Sequence, residues 1–474
     1  MSGRSFILSL GALALAILLA ACQTFSPDGG MWLPAAIAEK SLNKDVISIA
    51  SEDDAAEARR RVEKLLRRSL TADAAVQVAL LNNRGLQAAY NSLGIADAVR
   101  VQQLLPPNPK FSVMRIAGSA EIEIERQIVA DILALATLPV RTEIANDRFR
   151  QAQLLAALET LRLATEARHA FYRAVAARQL VDLLTETNSA AETMVQLAKR
   201  LGETGAMNKL DQAREQVFYS DVAARLAVAR QRAMKERERL VRALGLWGKD
   251  LDFVLPKTLP SLPRHPLTLP KVEQAAVRSR VDLQISRIEL DNIARSYGLT
   301  NATRFINVLE AGYADKITKD KENGEHIRDR GFTVSFEVPL FDFGEARVRD
   351  AEQTYLQAVN RLAQKAVNVR SEAREAYGNY RSSYDIARHY QRNVLPLRKI
   401  ISDEMMLRYG AMQVDVFTLL TEAQQKLSAN AAAVEALRDF WLASTDLSAA
   451  SVGGGMGAAD TAAAQVAAEN VTSH

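Results

Sequence analysis

Hydrophobic and polar positions follow the same succession of patterns twice along the chain. Each half opens with an amphipathic helical pattern, at residues 71–103 in the first half and 272–297 in the second. Two short segments of alternating apolar and polar residues come next, and very long helical patterns close each half. The halves are offset by about 200 residues, which indicates an internal duplication. We therefore predict a first repeat at 70–250, a linker at 251–270 and a second repeat at 271–450.

The alternating segments predict four β-strands, at residues 110–116, 121–128, 305–313 and 332–338. The last is the clearest, because Phe332, Val334, Phe336 and Val338 alternate with Thr333, Ser335 and Glu337. This period of two is typical of a barrel strand with one apolar face and one wet face. The charged segment at 315–330 is predicted to be a solvated loop outside a membrane.

Four long helical patterns account for most of the chain. They cover residues 141–184, 190–246, 345–389 and 397–449, and such lengths exceed those of ordinary globular helices. Residues 345–389 carry two apolar stripes side by side, so this helix can contact a neighbour on each side. The pattern predicts helical hairpins arranged as the staves of a hollow α-barrel. The alternative, a plain antiparallel coiled-coil rod, leaves the four strands unexplained.

Residues 1–21 have the composition of a signal peptide, with the basic Arg4 before an apolar run. A Leu-Ala-Ala-Cys sequence ends this run at Cys22, the only cysteine of the 474 residues. It resembles the lipobox at which bacterial lipoproteins are cleaved and acylated, so we predict lipidation of Cys22 and a lipid-anchored linker at 22–69. A free cysteine after an ordinary signal peptide is the alternative. Gln23 follows, and in similar lipoproteins the lack of aspartate there accompanies delivery to the outer membrane.

Composition excludes several classes of protein. With 48% hydrophobic and 24% charged residues, the chain is apolar enough to fold rather than to stay disordered. The net charge of +4 is unlike that of a nucleic-acid-binding protein. After residue 22 no run of 18 uncharged apolar residues occurs, so any membrane-spanning part is predicted to be β-strand. Five scattered histidines, one cysteine and no nucleophile–base set predict no metal site, no cofactor and no enzyme activity.

Several short motifs lie within the predicted elements and at the junctions between them. They are Leu70-Thr71, Ala75-Val76, Ala79-Leu80, Asn82-Asn83 and Leu86-Gln87 in the first helix, Asn108-Pro109 before the first strand, Leu210-Asp211-Gln212-Ala213 in a long helix, and Val338-Pro339-Leu340-Phe341-Asp342-Phe343-Gly344 after the last strand. In this order they resemble the TolC family of outer-membrane efflux proteins, over nearly all of residues 70–447. The Val-Pro-Leu-Phe-Asp-x-Gly run is the most specific of them.

The resemblance implies a TolC-like fold, mainly α with a β-barrel portion, in a homotrimer. Each protomer would give four strands to a shared twelve-stranded outer-membrane β-barrel and its long hairpins to a periplasmic α-barrel. It also implies a passive conduit of a Gram-negative outer membrane, served by a periplasmic adaptor protein and an inner-membrane transporter. Two alternatives stay open: a TolC-like structural lipoprotein that conducts nothing, and metal ions rather than drugs as the substrate.

In this family the closed end of the channel lies near the turns of the helical hairpins. Residues 205–207 and 410–412 share the sequence Gly-Ala-Met and mark the corresponding turns. Asp415 is the best candidate for an acidic ring that selects cations, Asp211 is the second, and Arg408 or Tyr409 could hold the end shut. The family's second aspartate is replaced here by Thr418. The alternative is that both aspartates only stabilise helix N-termini. Residues 451–474, rich in alanine, are predicted to be a disordered tail.

Overall fold

The computed structural model describes residues 25–455. The predicted signal peptide, the predicted lipidation site Cys22, and residues 456–474 of the predicted tail lie outside the described residues. The described part is mainly helical, with four strands, and the same order of elements occurs twice. This confirms the predicted fold class.

The first half contains helices α1 (Trp32–Leu42), α2 (Glu52–Leu66), α3 (Ala72–Asn82) and α4 (Arg84–Leu104), strands β1 (Lys110–Ala117) and β2 (Glu121–Asp131), and helices α5 (Ile132–Glu203) and α6 (Lys209–Leu244). A 3₁₀ turn at Gly248–Leu251 follows. The second half contains helices α7 (Val272–Ser279) and α8 (Val281–Ala302), strands β3 (Val308–Asp320) and β4 (His326–Glu337), and helices α9 (Glu345–His389), α10 (Leu395–Gly410) and α11 (Val416–Val452).

The chain divides into two compact units. Within the described residues, the first unit contains 25–33, 90–156 and 283–365, and the second contains 34–89, 157–282 and 366–455. The four strands belong to the first unit. The hairpin turns of the long helices belong to the second.

The strands of the first unit form one antiparallel sheet in the order β1-β2-β3-β4. Ile128 lies opposite both Phe111 of β1 and Tyr313 of β3, and Tyr313 lies opposite Phe332 of β4. The hairpin turns of the two strand pairs touch, because the Lys321 backbone N–H donates to the Ala120 carbonyl at 2.8 Å. Strands β1 and β4 are the two edges of this sheet.

The predicted loop at 315–330 is wrong. Strand β3 continues to Asp320 and β4 begins at His326, so only residues 321–325 connect them. The charged side chains of this segment find partners across the sheet: Asp315 bonds Arg328, and Lys316 lies 2.8 Å from a carboxylate oxygen of Glu123. Cross-strand ion pairs therefore extend the ladder through a stretch that looks like a loop in the sequence.

The predicted break between 184 and 190 is also wrong, because α5 runs without interruption to Glu203. The hydroxyls of Thr185 and Thr187 donate to the carbonyls four residues earlier, at 2.7 and 2.9 Å, so these polar residues are satisfied inside the helix. Gly205 lies in the turn that follows Glu203, and its φ of +76° is readily adopted only by glycine. Pro139, predicted to precede the long helices, lies inside α5.

The predicted helix break at 390–396 is wrong, and the second long hairpin reverses next to the turn predicted at 410–412. After α9 the helix passes through a π-helical turn at Tyr390–Val394 and continues as α10. Pro396, which has no backbone N–H, lies at the start of α10, so the wider turn accommodates it without reversing the chain. The reversal comes at residues 411–415.

The amphipathic helix predicted at the start of each half, at 71–103 and 272–297, is interrupted once, at Asn83 in the first half and at Arg280 in the second. The Asn82 and Asn83 side-chain amides donate to the carbonyls of Gly245 and Ala243, which close the end of α6. Arg280 is buried and bonds Asp282 through two nitrogens at 2.8 and 3.0 Å. The first helix of each half is therefore interrupted at a corresponding place, but different side-chain interactions surround the two interruptions.

The segments predicted as linkers and tail carry more structure than expected. Helices α1 and α2 occupy much of the predicted N-terminal linker. The inter-repeat linker is bonded to helices; for example, the Trp441 indole N–H donates to the Pro260 carbonyl at 3.0 Å. Residues 451 and 452 are still helical, and Gly454 is so close to the Leu161 backbone that a Cβ would lie 3.0 Å from it. The start of the predicted tail is therefore ordered.

Candidate pore face and hairpin tips

The sheet has two faces of opposite character. Side chains alternate between the faces along each strand, and residues directly opposite in the register share a face. One face, called the acidic face, carries eight carboxylates, those of Glu121, Glu123, Glu125, Asp131, Glu310, Asp320, Asp329 and Glu337. Its only basic residues are Lys110 and Lys316. Eight carboxylates minus two ammonium groups leave six net negative charges on this face.

Contacts across the strands support this assignment. Lys110 Nζ lies 2.9 Å from a carboxylate oxygen of Glu310, across the intervening strand β2. The Gln127 amide donates to the Thr333 hydroxyl at 3.4 Å, over the position of Gly312. A Cβ on Gly312 would lie 2.6 Å from that hydroxyl, so glycine is needed there for the polar side chains to meet.

The other face, called the apolar face, carries aromatic and branched side chains in the part of the sheet away from the strand turns. The Tyr313 and Phe332 rings meet edge to face with centroids 5.5 Å apart. Phe332 is 87% exposed and Phe111 is 71% exposed, so this chain alone leaves the face uncovered. The predicted alternation of Phe332, Val334 and Phe336 with Thr333, Ser335 and Glu337 is confirmed by the register.

The first hairpin tip is built around the N-terminus of α6. Asn208 caps the helix: its side-chain oxygen accepts from the Asp211 N–H at 2.8 Å, and its amide donates to the Asp211 carboxylate at 2.7 Å. That carboxylate also lies 3.2 Å from Arg214. Asp211 is thus held by a cap and an ion pair within one helical turn.

The second tip is built around the N-terminus of α11, where Asp415 is the cap. Its carboxylate accepts from the Thr418 N–H at 2.9 Å and from the Thr418 hydroxyl at 2.5 Å. These bonds from Thr418, together with the nearby positive charge of Arg214, lower the pKa of Asp415. Thr418, the residue that departs from the family motif, is therefore the partner that holds the remaining aspartate.

Arg214 joins the two tips. Its guanidinium lies 4.7 Å from the centre of the Phe417 ring while it pairs with Asp211. The structure thus brings Asp211 and Asp415 to the same cluster. It does not bring Arg408 and Tyr409 into that cluster: Arg408 pairs with Glu404 on its own helix at 3.0 Å, and the Tyr409 carbonyl accepts from the Met412 N–H in the turn. The gate and selectivity roles of these four residues stay predictions.

Sequence reasoning missed two residues of this cluster, Arg214 and Glu215. Arg214 could have been found from its position three residues after Asp211, where a helix brings side chains together. Glu215 is 2% exposed, and burial raises the pKa of its carboxyl. It lies one turn from an apolar core whose buried members are Leu184, Ala191, Phe218, Val222, Leu226, Ala229, Leu420 and Leu427. Nothing in the periodicity distinguishes such a buried glutamate from an exposed one.

Within residues 25–455, no helix combines the length and the apolar character needed to cross a membrane. In the same part of the chain, no group of three or more histidine, cysteine or acidic side chains is arranged to hold a metal ion.

Solved structures of membrane channels share this fold. The chain is similar to CusC, whose structures concern folding and transmembrane channel formation, with a TM-score of 0.68 and 16% identity over 80% of this chain and 92% of that one. It is similar to the outer-membrane channel OprN, with a TM-score of 0.66 and 16% identity over 91% and 97% of the two chains. The Campylobacter jejuni CmeC outer membrane channel gives a TM-score of 0.65 and 15% identity over 89% and 92%. No protein-family model matches the sequence, and no curated protein does.

Proposed function

We propose that this chain, which has the fold of the TolC-like outer-membrane channels, is the exit duct of a tripartite efflux or secretion system. The observation that carries the proposal is the four-stranded sheet with two open edges, one apolar face and one acidic face. Such a sheet suits a barrel wall with lipid outside and water inside.

One copy cannot form that wall. Unpaired strand edges are not tolerated in hydrocarbon, and about eight strands are needed for an interior just wide enough for side chains. Edges β1 and β4 must therefore pair with other copies. We propose a homotrimer with a twelve-stranded barrel, as in the resemblance to the TolC family, in which the long hairpins of α5 to α6 and α9 to α11 line a periplasmic conduit.

The proposal includes the partners and the location that the fold suggests. The protein would lie in the outer membrane of a Gram-negative bacterium, anchored through acylated Cys22, and would receive substrates from a periplasmic adaptor protein and an inner-membrane transporter. It would conduct passively and would not be an enzyme. Six net negative charges per copy on the acidic face favour cations in the lumen.

Two measurements test this function. Native mass spectrometry in detergent should give a trimer, and the purified trimer in planar bilayers should give discrete conductance steps with cation preference. A well-folded trimer without conductance steps would refute the channel and leave the structural lipoprotein. A monomer that is soluble without detergent would refute the shared barrel.

A further inference from the structure

The apolar face changes character towards the hairpin turns of the strands. Five basic side chains lie there, those of Arg115, Arg126, Lys319, Arg328 and Arg330, and we call them the basic band. The only carboxylate on this face of the sheet is that of Asp315. The band therefore keeps four net positive charges on the face that the proposed function turns towards lipid.

The register gathers these side chains into neighbouring rows. Arg126 and Arg330 lie on either side of Asp315, one on β2 and the other on β4. In the next row towards the turns, Arg115 and Arg328 lie at the two edges, with Ile124 and Ile317 between them. The rows cross all four strands, so three copies would carry the band around a whole barrel.

Asp315 organises the band without neutralising it. Its side chain is 8% exposed, accepts from Arg328 at 2.6 and 2.9 Å and lies 3.6 Å from Arg330. Arg328 and Arg330 themselves remain 51% and 58% exposed. One carboxylate thus bonds Arg328 and lies beside Arg330, and a guanidinium group has five N–H donors, more than this single carboxylate engages.

The band lies at the height where lipid headgroups begin. From Glu337, where β4 ends, to Arg330 are seven residues, which is about 24 Å along a strand and about 18 Å along the membrane normal at the usual tilt. Beyond Glu337 the chain carries two exposed apolar residues, Leu340 and Phe341. A hydrocarbon layer about 25 Å tall that begins at these two residues and continues past Glu337 would end near Arg330, so the basic band lies at its outer edge.

We propose that the basic band binds the phosphate groups of a phosphorylated glycolipid of the outer leaflet, while the adjoining apolar residues contact its acyl chains. This inference rests on the proposed function, because it needs the sheet to face lipid. Guanidinium groups match phosphate oxygens in bidentate geometry, and this face offers positive charge beside aromatic and branched side chains. That combination suits an amphiphile with anionic headgroups.

Native mass spectrometry of the trimer titrated with diphosphoryl lipid A tests the inference. The double variant R328Q/R330Q should bind this lipid about thirtyfold more weakly than the wild type, since each basic side chain near an anionic lipid surface contributes about a fivefold gain. R115Q/R126Q, which leaves the bonds of Asp315 to Arg328 and Arg330 intact, should show a similar loss and serves if the first variant assembles poorly. Monophosphoryl lipid A should bind more weakly than the diphosphoryl form.

The matched control is K110Q/K316Q, which removes two positive charges from the acidic face and should leave lipid A binding unchanged. An equal loss in this control, or wild-type binding by both arginine variants, would overturn the inference, and so would capture of an acidic protein but not of lipid A by the wild-type trimer. Conductance of the wild-type trimer is measured separately. A trimer that conducts but does not prefer phosphorylated lipid refutes only the lipid site, whereas one that binds lipid A without conducting refutes only the channel.

Discussion

The acidic face gives a quantitative prediction for ion selectivity. Replacement of Glu121, Glu125 and Asp329 by their amides removes three of the six net negative charges per copy, and nine in a trimer. A unit charge about 10 Å from the pore axis acts on an ion with about 0.4 kcal/mol in water, or about 0.15 kcal/mol after screening at 0.1 M salt. Nine charges then contribute about 1.4 kcal/mol, so the cation enrichment of the lumen should fall about tenfold.

The reversal potential across a KCl gradient in planar bilayers measures this change. The triple amide variant should shift towards the value of a non-selective pore, and the shift should shrink as salt is raised because screening increases. The control variant E121D/E125D/D329E keeps every charge and should behave as the wild type. If the amide variant conducts with an unchanged reversal potential, the acidic face does not line the conducting path.

Three further predictions concern the hairpin tips and their core. Asp415→Ala removes the cap of α11 and should cost about 1 kcal/mol of local stability, seen as faster hydrogen exchange in the first turn of α11, whereas Asp415→Ser keeps a cap; equal exchange in the two variants would contradict the capping role. Phe218→Ala should lower the free energy of unfolding by about 3–5 kcal/mol in denaturant titration, because the ring is 6% exposed within the core; a loss below about 1 kcal/mol would mean that the core does not form. Glu215→Gln should raise Tm at neutral pH and have little effect in acid. Burial raises the pKa of the Glu215 carboxyl, so the folded protein loses stability as the pH rises through that pKa and the buried carboxyl ionises; a Tm difference independent of pH would refute the burial argument.

Local alternation and periodicity were sufficient for the element order, the long helices and the two faces of β4. They failed where a side chain's partner lies far away in the sequence. Residues 315–330 read as a loop because Asp315 and Lys316 look solvated, yet Lys316 pairs with Glu123, almost 200 residues earlier. A charged segment of this kind can be recognised as part of a strand only when its partner strand is known.

Helix interruptions were misjudged for a different reason. The predicted break between 184 and 190 contains Thr185 and Thr187, which bond back into α5. The predicted break between 389 and 397 contains Pro396, which follows a π-helical turn. Asp415 was identified correctly as a tip residue, yet its bonds to Thr418 depend on the cap geometry rather than on composition. Propensity locates such residues near a helix end or bend without deciding which of the two occurs.

The different breaks at Asn83 and Arg280 have a consequence for the origin and engineering of the chain. Asn82 and Asn83 serve the carbonyls that finish α6, whereas Arg280 is neutralised by Asp282 and Glu372. Each half contains its own complete set of partners, so a chimaera that exchanges only the helices at the start of the two halves would separate Asn82 and Asn83 from their carbonyls and Arg280 from Glu372. The ancestral symmetry survives in the path of the backbone but has been lost from the interior chemistry.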